Sequence, residues 1–596
     1  MHRFVRKYGW YYLPGFIFLA LSAYFQVLSP RLLGNIVDDL NVPVEEIIIS
    51  DVYRGLVFLV LVAVGAFVTR FIWRYLIMGT SRYLETELRM DLFAHLQSLP
   101  MQYYQYQKTG DLMAYAINDI GAIRMTLGPG LATAANTLIM IAFSIGSMTG
   151  QVDSRLTAFA LLPVPIVLAV VIYLGRQVRI RFKFVQETFA AVSDRVQESI
   201  SGLSVIKAYG QEDEEVNRFE TLNQRSRDAN LAMTRIAAAM GPAVLLLFGI
   251  SFSISLIYGG HLVMTGSVSL GQFIAFNGLL TLIINPIRSI ARIINLMQRG
   301  MASYKRYQAI MSVKPAIYDL PDHIPAEQLP EQMSGTVEIR DLTFAFPGED
   351  KPALKNINLT MKPGQMIGVL GKTGSGKSTL ANLLLRLFDP PAGSIHMDGY
   401  DIRKLPLRYL RSQIAYAPQD NFLFTDNLED NIRFFDDQYT HEQIQEASRL
   451  ADLEDTITSF AHGYETTVGE RGVTLSGGQK QRVGLARALL RKTPLMILDD
   501  ALSAVDTETE RRILTRLQDR LRESACLIIA NRISALQTCD EILVLENGEV
   551  TERGNHKTLS RSNGLYAEIA HKQSEDEAAA ELDPSPSDEH EQGADY

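Results

Sequence analysis

Three clusters of residues in this chain have types and spacings suited to phosphate chemistry. The first is "MIGVLGKTGSGKSTL", an apolar run that leads into Gly371, Lys372, Thr373, Gly374, Ser375, Gly376, Lys377, Ser378 and Thr379. Glycines at this spacing let a loop turn its backbone N–H groups onto phosphate oxygens where a helix begins and its dipole favours anions. Lys377 is then placed to reach the β and γ phosphates, and Ser378 to offer a hydroxyl to Mg2+. The second cluster is "LMILDD", in which Asp499 ends an apolar strand as a metal-side carboxylate and Asp500 follows where a base that activates water would stand. The third is "VTLSGGQKQR", with Ser476, Gly477, Gly478 and Gln479 near the start of a helix, another phosphate-binding shape. One chain cannot place two such clamps on the same triphosphate, so this spacing implies a second nucleotide-binding copy facing it.

Elements must position these residues. From residue 336 to 572, short β-type runs alternate with helical ones, the pattern of an α/β P-loop domain. Residues 306–335 carry several prolines and read as a linker. Residues 1–305 are different. They hold six apolar stretches, centred on Tyr12–Leu33, Gly55–Tyr75, Gly130–Thr149, Leu156–Leu174, Ile236–Tyr258 and Phe273–Ile293. Each approaches the roughly 20 residues a helix needs to cross a bilayer. Pro163, Pro165, Pro242 and Pro286 fall inside them without vetoing that assignment, because neighbouring helices can repair a kinked membrane helix. The polar connections 76–129 and 175–235 are strongly helical, so helices should project well beyond the membrane on one side.

Charge orients the chain. Arg3, Arg6 and Lys7 precede the first span and "RQVRIRFK" follows the fourth, whereas the first loop carries Asp38, Asp39, Glu45, Glu46 and Asp51. The positive-inside rule then places both termini in the cytoplasm. The net charge of −9 lies wholly in the tail, since the nine carboxylates from Glu575 to Asp595 face no Lys or Arg. Residues 573–596 accordingly read as an acidic, disordered tail. Cys526 and Cys539 lack the pairing pattern of a disulfide or metal framework and read as reduced structural residues.

With these motifs in order, the chain resembles an ABC exporter half-transporter, a six-helix membrane domain fused to a nucleotide-binding domain. "LSGGQ" is that superfamily's signature, and the resemblance runs from about Tyr11 to Lys572. It implies ATP and Mg2+ as cofactors, Phe346 of "FAFPG" stacking on adenine, and Gln419 of "APQD" sensing metal and γ-phosphate. It further implies that "TVGERG" (467–472) contacts the membrane domain and that coupling helices lie near Lys108–Tyr115 and Gly202–Gln211. The implied setting is the bacterial inner membrane, with the lipid bilayer and a small amphiphilic compound, multidrug or lipid-like, as partners and no nucleic acid.

Two positions depart from the family pattern. Asp500 stands where the family has glutamate, and Asn531 of "LIIANRISAL" where it has the switch histidine. Asparagine cannot act as a titrating donor, and a carboxylate retracted by about 1 Å can cost on the order of a hundredfold in rate. The pair resembles the degenerate-site subunit of heterodimeric multidrug exporters, with a second, different half-transporter as partner. A homodimer with slow aspartate-based hydrolysis stays open at this point, as does an ATP-binding regulatory membrane protein. A soluble DNA-repair ATPase shares the signature but is excluded by the six spans.

Overall fold

The structure, a computed structural model, describes residues 2–582 except 44, 46, 470, 471, 473 and 521–523. Two compact units emerge. One is the helical unit up to Ser98 and from Gln107 to Lys314; the other joins Leu99–Tyr106 to the chain from Pro315 onward.

The helical unit contains six helices long and apolar enough to span a membrane: Lys7–Leu40, Ile49–Ser98, Thr109–Gly150, Ser154–Ser201, Glu212–Met264 and Leu270–Met311. The second, fourth and fifth have 50, 48 and 53 residues. At 1.5 Å per residue these exceed 70 Å, about twice the hydrocarbon thickness of a bilayer, as the helical connections require. A core of buried side chains, including Val27, Met148, Phe248, Phe276 and Leu279, gathers helices from all but the second span. The fourth span is not one helix. It breaks between Ser154–Leu161 and Val164–Ser201 because Pro163 and Pro165 together remove two backbone donors within one turn.

Several expected boundaries move. The sixth helix runs through residue 305 to Met311, so the membrane unit ends later than the composition suggests. A short helix at Leu203–Ala208 falls where the second coupling element is expected. Thr109–Ala114 falls where the first is expected, opening the next long helix, and a separate short helix precedes it at Met101–Tyr106. That segment belongs to the nucleotide-binding unit, where Gln102 Nε2 donates to the Pro347 carbonyl at 3.2 Å. The C-terminal helix Leu565–Leu582 carries through residues 573–582, where disorder was expected, and residues 583–596 lie outside the described residues. Glu470 and Arg471 of "TVGERG" lie outside them as well.

In the second unit the strands are β1 Val337–Phe344, β2 Leu354–Met361, β3 Met366–Gly371, β4 Ile395–Met397, β5 Tyr400–Asp401, β6 Ile414–Ala417, β7 Leu495–Asp499, β8 Ala525–Ile529, β9 Glu541–Glu546 and β10 Glu549–Gly554. They form an antiparallel sheet ordered β2-β1-β4-β5 and a second ordered β10-β9-β3-β8-β7-β6. In the second, β9, β3, β8, β7 and β6 run parallel. Every residue of β3, β7 and β8 is buried, which is why these strands read as continuous apolar runs rather than alternating ones. Each fully buried Leu or Ile there contributes about 1.5–3 kcal/mol. That burial fixes the register, and the register places the carboxyl ends of β3, β7 and β8 side by side, with Val369 and Asp499 both paired to Ile529.

Candidate nucleotide site

Open parallel sheets bind ligands beyond the carboxyl ends of their strands, and the sequence motifs converge at that edge. The loop from Gly371 links β3 to the helix Lys377–Leu384. Gly376 adopts φ +104°, a conformation that other residues rarely take, and a Cβ there would lie 2.7 Å from the Ala353 carbonyl. Gly371 is needed for a different reason: a Cβ would sit 2.4 Å from the Leu545 carbonyl on the adjacent strand.

The Lys377 ammonium folds back onto this loop, donating to the carbonyls of Gly371 at 2.6 Å and Lys372 at 3.1 Å. Burial lowers its pKa, partly offset by Asp500 and Asp499. Such a lysine is desolvated and held by neutral carbonyls, ready to exchange them for phosphate oxygens. Ser375 is buried nearby, and its hydroxyl has no hydrogen-bond partner among the described residues. A buried unpaired hydroxyl in a phosphate loop is a donor waiting for an acceptor.

Across from the loop, the Ser378 hydroxyl donates to Asp499 Oδ1 at 3.2 Å. Asp499 is only 3% exposed, and burial raises its pKa above the usual carboxylate range despite the hydrogen bond from Ser378. A divalent cation would reverse that penalty. Hydroxyl and carboxylate oxygens are hard ligands, and these two with the Gln419 amide fit a small ion such as Mg2+ that takes its other ligands from phosphate and water.

Asp500 differs from its neighbour. Its backbone takes the left-handed conformation, φ +51°, with its N–H donating to the Ile529 carbonyl at 2.8 Å. Aspartate tolerates that geometry better than most residues. Its carboxylate oxygen Oδ2 accepts two amides at once, from Gln419 Nε2 at 3.2 Å and Asn531 Nδ2 at 3.1 Å.

Phe346, Thr373, Gly374, Gly376, Lys377, Ser378, Thr379, Gln419, Asp499, Asp500 and Asn531 thus line one cavity of about 450 Å³, with Gly371, Lys372 and Ser375 forming its loop. Phe346 is half-buried, set edge-on against Phe344 and Phe388 at 5.2 and 5.1 Å, so the aromatic core that anchors it also holds it at the cavity wall.

Ser476, Gly477, Gly478 and Gln479 are not part of this cavity. They open the helix Gly477–Leu490, where the Ser476 hydroxyl accepts from Gln479 N–H and the Gln479 side chain returns the bond to Ser476 N–H. Gln481, not singled out by its sequence context, ties that helix to the loop after Asp500. Its amide donates to Ser503 Oγ at 2.9 Å and accepts from Ala504 N–H at 2.8 Å. Set between Lys480 and Arg482, it reads in the sequence as one more polar residue of an exposed helix face.

Comparison with known proteins decides the family. Residues 12–287 match the ABC transporter transmembrane region and residues 354–503 the ABC transporter domain. The chain belongs to the ABC transporter family. It is 35% identical over 591 residues to the multidrug resistance-like ATP-binding protein MdlA of Escherichia coli, covering 98% of each chain. It is 32% identical over 520 residues to the ATP-dependent lipid A-core flippase of the same organism, covering 86% of this chain and 88% of the relative. In fold it matches the structure of a bacterial Atm1-family ABC exporter with ATP bound, with TM-score 0.76, 24% identity and coverage of 96% and 98%. The expected architecture, six membrane helices followed by an α/β ATP-binding domain, is therefore the observed one.

Proposed function

We propose that this chain is one half of an ATP-driven exporter that pairs with a different half-transporter, and that its own ATP site binds nucleotide without turning it over efficiently. The observation that carries this reading is the carboxylate of Asp500, whose Oδ2 is occupied by two side-chain amides. A general base must offer a lone pair within hydrogen-bond reach of the attacking water. Here the side chain is one methylene short, and one of its two oxygens is already engaged by both amides. Asn531 supplies a fixed neutral donor where a titrating imidazole is usual. The parts that only bind are complete: the loop, Lys377, Ser378 and Asp499. When bound, Mg2+ supplies positive charge that offsets negative charge on the phosphates.

The relatives named for multidrug resistance and for lipid A flipping support an amphiphilic cargo moved outward across the inner membrane. Ser476 supports a facing partner, because it is exposed and lies outside the chain's own cavity, so the nucleotide it would meet is another subunit's.

Mutagenesis of the assembled exporter tests this pairing. Ser476→Arg adds bulk where the partner's nucleotide is clamped, so it is expected to remove most ATPase and transport activity. Asp500→Asn, in a site that is already slow, is expected to leave at least about half. The opposite ranking would establish Asp500 as the working base and sink the proposal.

A further inference from the structure

We infer that Gln573, on the C-terminal helix, is a positioning residue for the nucleotide site, holding the loop that presents Asn531. The loop from Ala530 to Ile533 follows β8; its first N–H, of Ala530, still donates to the Val369 carbonyl of β3 at 3.2 Å, and the polar groups at Asn531 and Ile533 must be satisfied outside the sheet. Two of them are satisfied by one side chain. Gln573 Nε2 donates to the Asn531 carbonyl at 2.9 Å, and Gln573 Oε1 accepts from Ile533 N–H at 2.8 Å. The amide thus spans Arg532, which reaches the other way and donates to the Val505 carbonyl at 2.9 Å.

The support is itself packed into the domain core. The helix that carries Gln573 is seated by Tyr566, which is fully buried in the same core as Ala530, Ile533 and Leu536. Its hydroxyl lies 2.8 Å from His556 Nδ1, and its N–H donates to Glu552 at 3.2 Å. From the clipped loop the Asn531 side chain then donates to Asp500 Oδ2. Gln573 itself does not line the cavity. Its effect on bound nucleotide must therefore pass through Asn531.

This inference rests on the ATP-site assignment and not on how slowly the site turns over. The test uses the full chain in nanodiscs, with Kd for Mg-ATP and amide hydrogen exchange across residues 531–533 as readouts and melting temperature as a control. Gln573→Ala is expected to weaken Mg-ATP binding about fivefold, the scale of a lost hydrogen bond, and to speed exchange at Ile533 without lowering the melting temperature. Gln573→Glu keeps the acceptor for Ile533 N–H but not the donor to Asn531, so it should restore protection at Ile533 and only part of the affinity. In an Asn531→Ala background, Gln573→Ala should cost no further affinity, because coupled residues are not additive. Unchanged Kd and exchange in Gln573→Ala, or an equal loss in both backgrounds, would overturn the inference. If the wild-type chain bound no Mg-ATP, the site assignment would fall and take the inference with it.

Discussion

Asp499 and Asp500 are adjacent carboxylates in opposite surroundings, one buried beside Ser378 and the other held by two amides. Asp499 is buried at the end of β7, and the ionised form pays for that burial: its folded pKa is raised, so the charge costs stability at neutral pH, and the cost fades as pH falls through the folded value. A divalent cation held there with nucleotide would offset the same cost. Asp499→Asn is therefore expected to raise the melting temperature of the nucleotide-free protein while abolishing the further stabilisation given by Mg-ATP. Thermal melts with EDTA and with Mg-ATP check both halves, and a variant that melts lower in EDTA yet keeps the nucleotide shift would refute this account. Asp500, less buried and doubly hydrogen-bonded, is readable from sequence only as a substitution. That Asn531 reaches it across 31 residues of chain is a tertiary fact.

At the scale of elements, the nucleotide loop was legible because its glycine spacing is local, and the parallel strands because their burial on both faces leaves apolar runs. What the sequence hid depends on partners far along the chain. The proline-bearing segment before β1 reads as a spacer, yet it is strapped to the domain. Arg386, fully buried, donates to the Tyr318 carbonyl at 2.9 Å, the Leu405 carbonyl at 3.2 Å and Asp389 at 2.7 Å. Ile324 N–H donates to the Lys404 carbonyl, and Leu407 N–H to Asp319. Arg386→Ala would remove a fully buried guanidinium and leave these partly buried acceptors unpaired, at a cost of about 3 kcal/mol. Denaturant titration of the detergent-solubilised chain measures it, and a loss below about 1 kcal/mol would contradict the strap. The fourth span stands where it is expected but is divided into two helices: one proline is tolerable in a membrane helix, whereas Pro163 and Pro165 act on one turn. The additional short helix Met101–Tyr106 is not legible in the sequence, because the bend that precedes it, at Leu99 and Pro100, has no glycine to mark it.

At the scale of the whole molecule, the charge pattern proposes an orientation: termini inside, the loop near Glu45 outside. Both native cysteines are buried, Cys526 at 0% and Cys539 at 5% exposed, so an engineered cysteine can be read against a quiet background. An impermeant thiol reagent on intact cells should label a cysteine at position 45 and spare one at position 588. Labelling at 588 alone would invert the topology.

The central claim is that two residues, Asp500 and Asn531, weaken a site that otherwise binds ATP well. The most direct measurement is the steady-state ATPase rate of the purified chain alone, beside that of Asp500→Glu with Asn531→His. Restoring the longer base and the titrating donor should raise turnover about a hundredfold or more, on the scale of a misplaced or missing base, with Mg-ATP affinity changed little and with Lys377→Ala abolishing the gain. A wild-type chain that already turns over as fast as the double variant, through a site that Lys377→Ala silences, would contradict it.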